Sequence, residues 1–185
     1  MQEKIILGID PGTTILGYGI IEVKGKQMKL LTMGVIHLDK IDDHFLKMSK
    51  IFERCIQLID GFHPDELAIE APFFGKNVQS MLKLGRAQGV AIAASLSRQI
   101  PVVEYAPRKI KQSITGNGAA SKEQVAAMLQ QILKIPASDM PKNLDATDGL
   151  AAAVCHFYQS SSITGSGKSY KSWDAFIKNN PGKIK

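Results

Sequence analysis

The sequence predicts an α/β fold, a mixed sheet of about five strands with helices on both faces. Three observations carry that prediction. Apolar runs of strand length, rich in isoleucine, leucine and valine, recur at 4–10, 16–23, 29–38, 66–70 and 102–105. The first three follow one another across short turns, as an antiparallel meander does. The last two are separated by a long helical pattern, and strand–helix–strand units pair in parallel. A sheet of this kind buries both of its faces under helices.

Each element has its own signal. The run from Lys4 to Asp10 reads as a buried strand, and Pro11-Gly12 breaks it. Lys24-Gly25-Lys26-Gln27 joins the second and third strands, with Gly25 supplying the turn. A helix follows from about Asp43. Phe45, Met48, Ile51, Phe52, Cys55, Ile56 and Ile59 recur at steps of three and four as an apolar stripe, and Asp42 or Asp43 caps its first amides. A second helix spans about 77–99, and a short one after Pro107 ends near Gly116. Ser121 opens the next helix with Gln124 at capping-box distance, and Pro136 stops it. The last helix spans about Leu144 to Tyr158. Ser160 to Gly167 reads as a flexible linker by composition, and Tyr170, Trp173 and Phe176 follow among lysines. The expected organisation is one domain over 1–159 and a basic flexible tail over 160–185, with no internal repeat.

The chain has 185 residues, 44% of them hydrophobic, enough for a single domain with a real core. Its net charge of +6 points toward a polyanionic partner. Most of that charge sits in the tail, whose five lysines (Lys168, Lys171, Lys178, Lys183 and Lys185) face one acid, Asp174. Cys55 and Cys155 both fall in apolar helical patterns and read as buried reduced thiols. No apolar run is long enough to span a membrane, and no secretory signal pattern is present. A cytoplasmic protein is expected.

Four acids stand out. Asp10 and Glu70 each end an apolar strand, and Asp145 and Asp148 open the last helix. Taken singly, Asp145 or Asp148 suits a helix cap, Asp10 a turn before Pro-Gly, and Glu70 a solvated strand end. Together they form a set of hard oxygen donors of the kind magnesium prefers. If the first and fourth strands pair in parallel, Asp10 and Glu70 become neighbours. Asp145 and Asp148, three residues apart, share one helix face in a first turn that favours anions. A rival reading takes Gly8-Ile9-Asp10-Pro11-Gly12-Thr13-Thr14 as a phosphate-cradling loop of an ATPase. Such proteins need a second nucleotide-binding lobe, for which this chain is too short.

The Gly8-Ile9-Asp10-Pro11-Gly12 segment, the Ile69-Glu70 strand end and Asp145-Ala146-Thr147-Asp148-Gly149-Leu150-Ala151 resemble the RuvC family of bacterial Holliday-junction resolvases. The likeness continues through Lys76-Asn77, Leu82-Lys83-Leu84-Gly85-Arg86, Gly89-Val90-Ala91-Ile92, Glu104-Tyr105-Ala106 and Lys111-Gln112, covering about residues 3–158. It implies an RNase H-like fold and a structure-selective endonuclease. It implies that Asp10, Glu70, Asp145 and Asp148 bind two magnesium ions, with manganese able to substitute. Asp10 would bridge the two. Lys111 and Lys122 match lysines used near the scissile phosphate, a solvated lysine being the plain alternative for each. Phe73 would stack on or wedge between bases, with Phe74 beside it, whereas a core position is the plain alternative for both rings. Lys76, Lys83, Arg86, Arg108 and Lys109 are candidate phosphate contacts.

Four-way junction DNA, a homodimer and the RuvA–RuvB branch-migration complex are the partners this resemblance implies. Gly85 and Gly89, with the alanines around them, allow close helix approach. Packing on the chain's own sheet explains them, and the resemblance adds a dimer interface. His37, His44, His63 and His156 show no metal spacing and are assigned no catalytic role.

Overall fold

The computed structural model describes residues 3–72 and 77–164, with the backbone alone for 161–164. Three strands open the chain: β1 (Glu3–Asp10), β2 (Ile15–Lys24) and β3 (Gln27–His37). Helix α1 (His44–Phe62), strand β4 (Glu66–Glu70), helix α2 (Val78–Ser97) and strand β5 (Val102–Tyr105) follow. Helices α3 (Pro107–Thr115), α4 (Lys122–Leu133) and α5 (Asp145–Thr164) complete the described chain. The sheet has five strands in the order β3-β2-β1-β4-β5. β1–β2 and β2–β3 are antiparallel, and β1–β4 and β4–β5 are parallel, which is the mixed sheet expected.

Local chemistry sets the ends. Asp43 rather than Asp42 caps α1, accepting from the Leu46 amide at 2.8 Å. Asn77 caps α2 through the Ser80 amide. Ser121 and Gln124 form the full capping box of α4. That helix ends at Leu133, with Lys134 in the left-handed region, so the chain turns before Pro136 is reached. A short 3-10 helix, Ala137–Asp139, follows.

Two cores lie on opposite faces of the sheet. Ile6, Ile21 and Ala68 pack under α3, α4 and α5, with Leu129, Leu150 and Val154 among their neighbours. Leu7, Ile9, Leu16, Ile20, Leu67 and Ile69 pack under α1 and α2. Cys55 and Cys155 are buried free thiols, as expected. A polar chain runs through the first core: Tyr105 Oη meets His156 Nδ1 at 2.7 Å, His156 Nε2 meets Glu66, and Lys4 pairs with Glu66.

Three expectations change. Phe45 and Phe52, placed in the apolar stripe of α1, are 78% and 40% exposed. Phe52 shares a helical direction with buried Ile59, seven residues further on, but α1 meets the core through Met48 and Ile51, and the described residues leave Phe45 and Phe52 uncovered. Helix α5 continues to Thr164, six residues past its expected end. Ser160 to Thr164 is Ser-rich, but serine does not break a helix as glycine does, and the first glycine is Gly165. The segment 165–185, and with it most of the expected tail, lies outside the described residues. Finally, the small residues of α2 divide between two faces. Ala87, Ala91 and Ala94 are buried, whereas Gly85 and Gly89 look onto open space, with no atom within 4 Å of an added Cβ.

Candidate active site

Strand parity begins the site. Along β1, Leu7 and Ile9 face α1 and α2, so Ile6, Gly8 and Asp10 face α5. On β4, Ala68 belongs to the α5 side, and Glu70 shares its parity. β1 and β4 run parallel and pair up to Ile9 and Ile69. Asp10 and Glu70 are each the next residue, closing adjacent strand ends on one face.

Helix α5 brings the other two acids, and glycines seat it. A Cβ on Gly17 would stand 1.9 Å from the Asp145 carbonyl oxygen, and one on Gly8 would stand 2.1 Å from the Gly149 oxygen. One on Gly149 would meet Tyr18 Cα at 2.5 Å. No side chain fits between the start of α5 and the two strands beneath it. The backbone of α5 therefore lies directly on β1 and β2, with its first turn beside Asp10. Neither aspartate serves as the helix cap. Asn143 Oδ1 accepts from the Asp145 amide at 2.9 Å, which leaves both carboxylates for other partners.

Those two carboxylates converge on one ammonium. Lys122 Nζ lies 2.6 Å from Asp145 Oδ1 and 2.5 Å from Asp148 Oδ2. Burial pushes the Asp10 carboxyl up to about 8, and the charges of Glu70, Asp148 and Asp145 add to the shift while Lys122 opposes it. Burial, then Asp148, raises Glu70 to about 7, against Lys111 and Lys122. Burial also raises Asp148, countered chiefly by its hydrogen bond to Lys122. The four acids form a cage in which they repel one another, and Lys122 and Lys111 offset that repulsion only in part.

A cleft of about 900 Å³ opens on this cage. Asp10, Glu70, Asp148, Arg108, Lys111 and Lys122 line it, with Ala71, Pro72, Ala106 and Pro107 forming an apolar wall. Asp145 is not in the lining and is tied to the cleft through its ion pair with Lys122. Lys111 acts on Glu70 and Asp148 through space. The other candidate DNA contacts are not gathered here: Lys109 is exposed on α3 outside the cleft, and Lys83 and Arg86 are exposed on α2. Phe73, Phe74 and Lys76 lie outside the described residues.

Sequence reasoning missed Gln88. It is only 7% exposed, and its Nε2 donates to the Glu70 carbonyl at 3.2 Å and to Glu104 Oε1 at 3.3 Å. It thereby steadies the end of β4 from beneath. Its available signal was a lone long polar side chain between Ala87 and Ala91 on the buried face of α2. The pairing of Lys122 with both aspartates was also missed, because residues 122 and 145 belong to different helices.

The donor set fits divalent cations. All four groups are hard oxygen donors, and an ammonium already stands where two of them converge. Among the described residues no three acidic side chains are drawn together into a ready ligand group. Like charges without a cation between them hold apart, and the cation that Asp145 and Asp148 do have belongs to Lys122.

Over residues 6–156 the chain matches the family model described as crossover junction endodeoxyribonuclease RuvC. It is 67% identical over 184 residues to the crossover junction endodeoxyribonuclease RuvC of Christiangramia forsetii, covering 100% of this chain and 94% of that protein. Its fold resembles that of T. thermophilus RuvC, solved in complex with a Holliday junction substrate. The TM-score is 0.79 at 31% identity, over 87% of this chain and 97% of that one. The yeast mitochondrial Holliday junction resolvase shares the fold at 12% identity, with a TM-score of 0.60 over 86% of this chain and 81% of that one. The expected RNase H-like fold is thus present. The match spans both acid-bearing strand ends and the start of α5, and on that extent the chain belongs to the RuvC family of crossover junction endodeoxyribonucleases, enzymes that break phosphodiester bonds in DNA.

Proposed function

We propose that this chain resolves Holliday junctions as a homodimer, cutting two strands of like polarity by magnesium-dependent hydrolysis. The observation that carries this reading is the meeting of Asp10, Glu70 and Asp148 in one cleft with Arg108, Lys111 and Lys122, with Asp145 paired to Lys122. Two magnesium ions held by the four carboxylates would supply activation of the attacking water and stabilisation of the leaving oxygen. The chain's own residues do the rest. Arg108, Lys111 and Lys122 attract and orient the phosphate and offset charge that develops on it. Gln88 holds the carbonyl of Glu70 and so fixes where β4 ends. The apolar wall of Ala71, Pro72, Ala106 and Pro107 excludes water from one side. In this reading Phe73 stacks at the crossover beside Phe74, and Lys76, Lys83, Arg86 and Lys109 touch the arms. The products carry 5′-phosphate and 3′-hydroxyl ends, and RuvA with RuvB would supply the junction in the cytoplasm.

The direct test is incubation with a synthetic four-way junction and with a linear duplex, with magnesium, with manganese and with a chelator. Symmetric nicks in the junction alone, lost in chelator and restored by either ion, are expected. Equal cutting of the duplex would replace the substrate in this reading.

The dimer follows from need and from a surface. A junction presents two strands to cut, and a two-fold dimer presents two matched sites. Helix α2 carries exposed Leu82, Gly89, Ala93 and Leu96 with half-buried Gly85 among them, Leu82 and Leu96 being 54% and 57% exposed. A second copy covers these residues in our reading, its helix brought close by the two glycines. Gly89→Glu is therefore expected to sediment as a monomer where the parent is a dimer. Its own fold is expected to gain up to about 1 kcal/mol from the better helix former. A dimeric Gly89→Glu would move the interface elsewhere.

A further inference from the structure

We infer that Lys122 is a placeholder cation, holding Asp145 and Asp148 together until a divalent ion takes its place. The inference rests on the metal-site reading above and adds a competition to it. Lys122 Nζ touches one oxygen of each aspartate, at 2.6 and 2.5 Å. That is the convergence a cation between the two carboxylates requires. The lysine is the first residue of α4, capped by Ser121, so its backbone is fixed, while its four-carbon stem gives the ammonium reach. The side chain is 48% exposed, whereas that of Asp148 is 14% exposed, so the lysine can leave and the aspartate cannot.

Lys122 also lines the cleft. An ammonium released from the aspartates therefore stays within the site, free for the phosphate. One residue thus serves two partners in turn. Before ion entry it prevents two neighbouring carboxylates on α5 from repelling each other. Afterwards it is a mobile charge beside the substrate. Lys111 differs: it acts on Glu70 and Asp148 through space, and no ion pair ties it to either. The two lysines therefore separate competition for a place from the general field of a nearby charge.

The test is calorimetric titration of manganese into the full chain without DNA, for the parent and for Lys122→Gln, Lys122→Arg and Lys111→Gln. Melting temperatures are read with and without the ion. Lys122→Gln is expected to bind manganese about tenfold more tightly than the parent, the size of a charge-assisted contact removed from the competitor. Its melting temperature in chelator falls, and excess manganese raises it by more than it raises the parent's. Lys122→Arg stays near the parent, and Lys111→Gln gains clearly less than Lys122→Gln. Parent-like binding by Lys122→Gln overturns the inference and leaves the metal site standing. Equal gains from Lys122→Gln and Lys111→Gln also overturn it, in favour of the general field. Absence of manganese binding by every form, the parent included, overturns the metal-site reading and the inference with it.

Discussion

Asp10→Asn is expected to lose junction cleavage by at least about 10³-fold while binding the junction as well as the parent. Asparagine matches the shape of aspartate and keeps one oxygen, but it removes a charge from the centre of the cage. Asp10 is the group that senses all three of the other acids, so a metal held among them loses most there. DNA affinity is spared because the cleft loses a negative charge rather than a cation. The same substitution should raise stability in chelator. The folded-state value of about 8 lies above the ordinary 3.8, so the unfolded chain ionises first and stability falls as pH rises between those values. Asparagine removes that dependence. The variant should melt several degrees higher than the parent near pH 8 and equally near pH 3. Single-turnover cleavage, gel-shift binding and a pH series of melts measure the three effects. Cleavage at the parent's rate would end the assignment of Asp10.

How far the sequence could be read depended on whether the signal was local. β1 and β4 are continuous apolar runs ending in acids, and the parallel pairing inferred from the βαβ order put Asp10 and Glu70 side by side. Caps were legible because Asp43, Ser121 and Gln124 act within four residues of themselves. What stayed hidden acts across distant segments. Lys122 and Asp145 meet only because α4 and α5 both pack on the same face of the sheet. Gln88 reads as a stray polar residue until β4 is laid over it. Periodicity put Phe45 and Phe52 in the apolar stripe, but did not show that the described residues leave those two rings uncovered. The seating role of Gly8 and Gly17 has no local sequence signal and appears only when the backbone of α5 is set on top of them.

Gly17→Ala is expected to be nearly as damaging as the loss of Asp10, although position 17 carries no chemistry. Gly17 pairs with Asp10 across β1 and β2. A methyl group there would stand 1.9 Å from the Asp145 carbonyl oxygen, where neither atom can yield without moving backbone. The first turn of α5 must lift by more than about an ångström to reach ordinary contact distance. The middle of the helix resists that movement through His156, which holds Glu66 and Tyr105. The helix therefore tilts, and the displacement falls on Asp145 and Asp148. A shift of this size at a site of paired acids lowers cleavage by about 10²-fold or more. Overpacking removes about 1–3 kcal/mol of stability besides. Gly61→Ala is the control. It lies on α1 with no atom near an added Cβ, and is expected to be neutral or to stabilise by about 0.5–1 kcal/mol. Cleavage should be compared well below both melting temperatures, with circular dichroism confirming that Gly17→Ala is folded. A folded Gly17→Ala that cuts junctions within about threefold of the parent would show that the acids of α5 reach their places without the glycine seat.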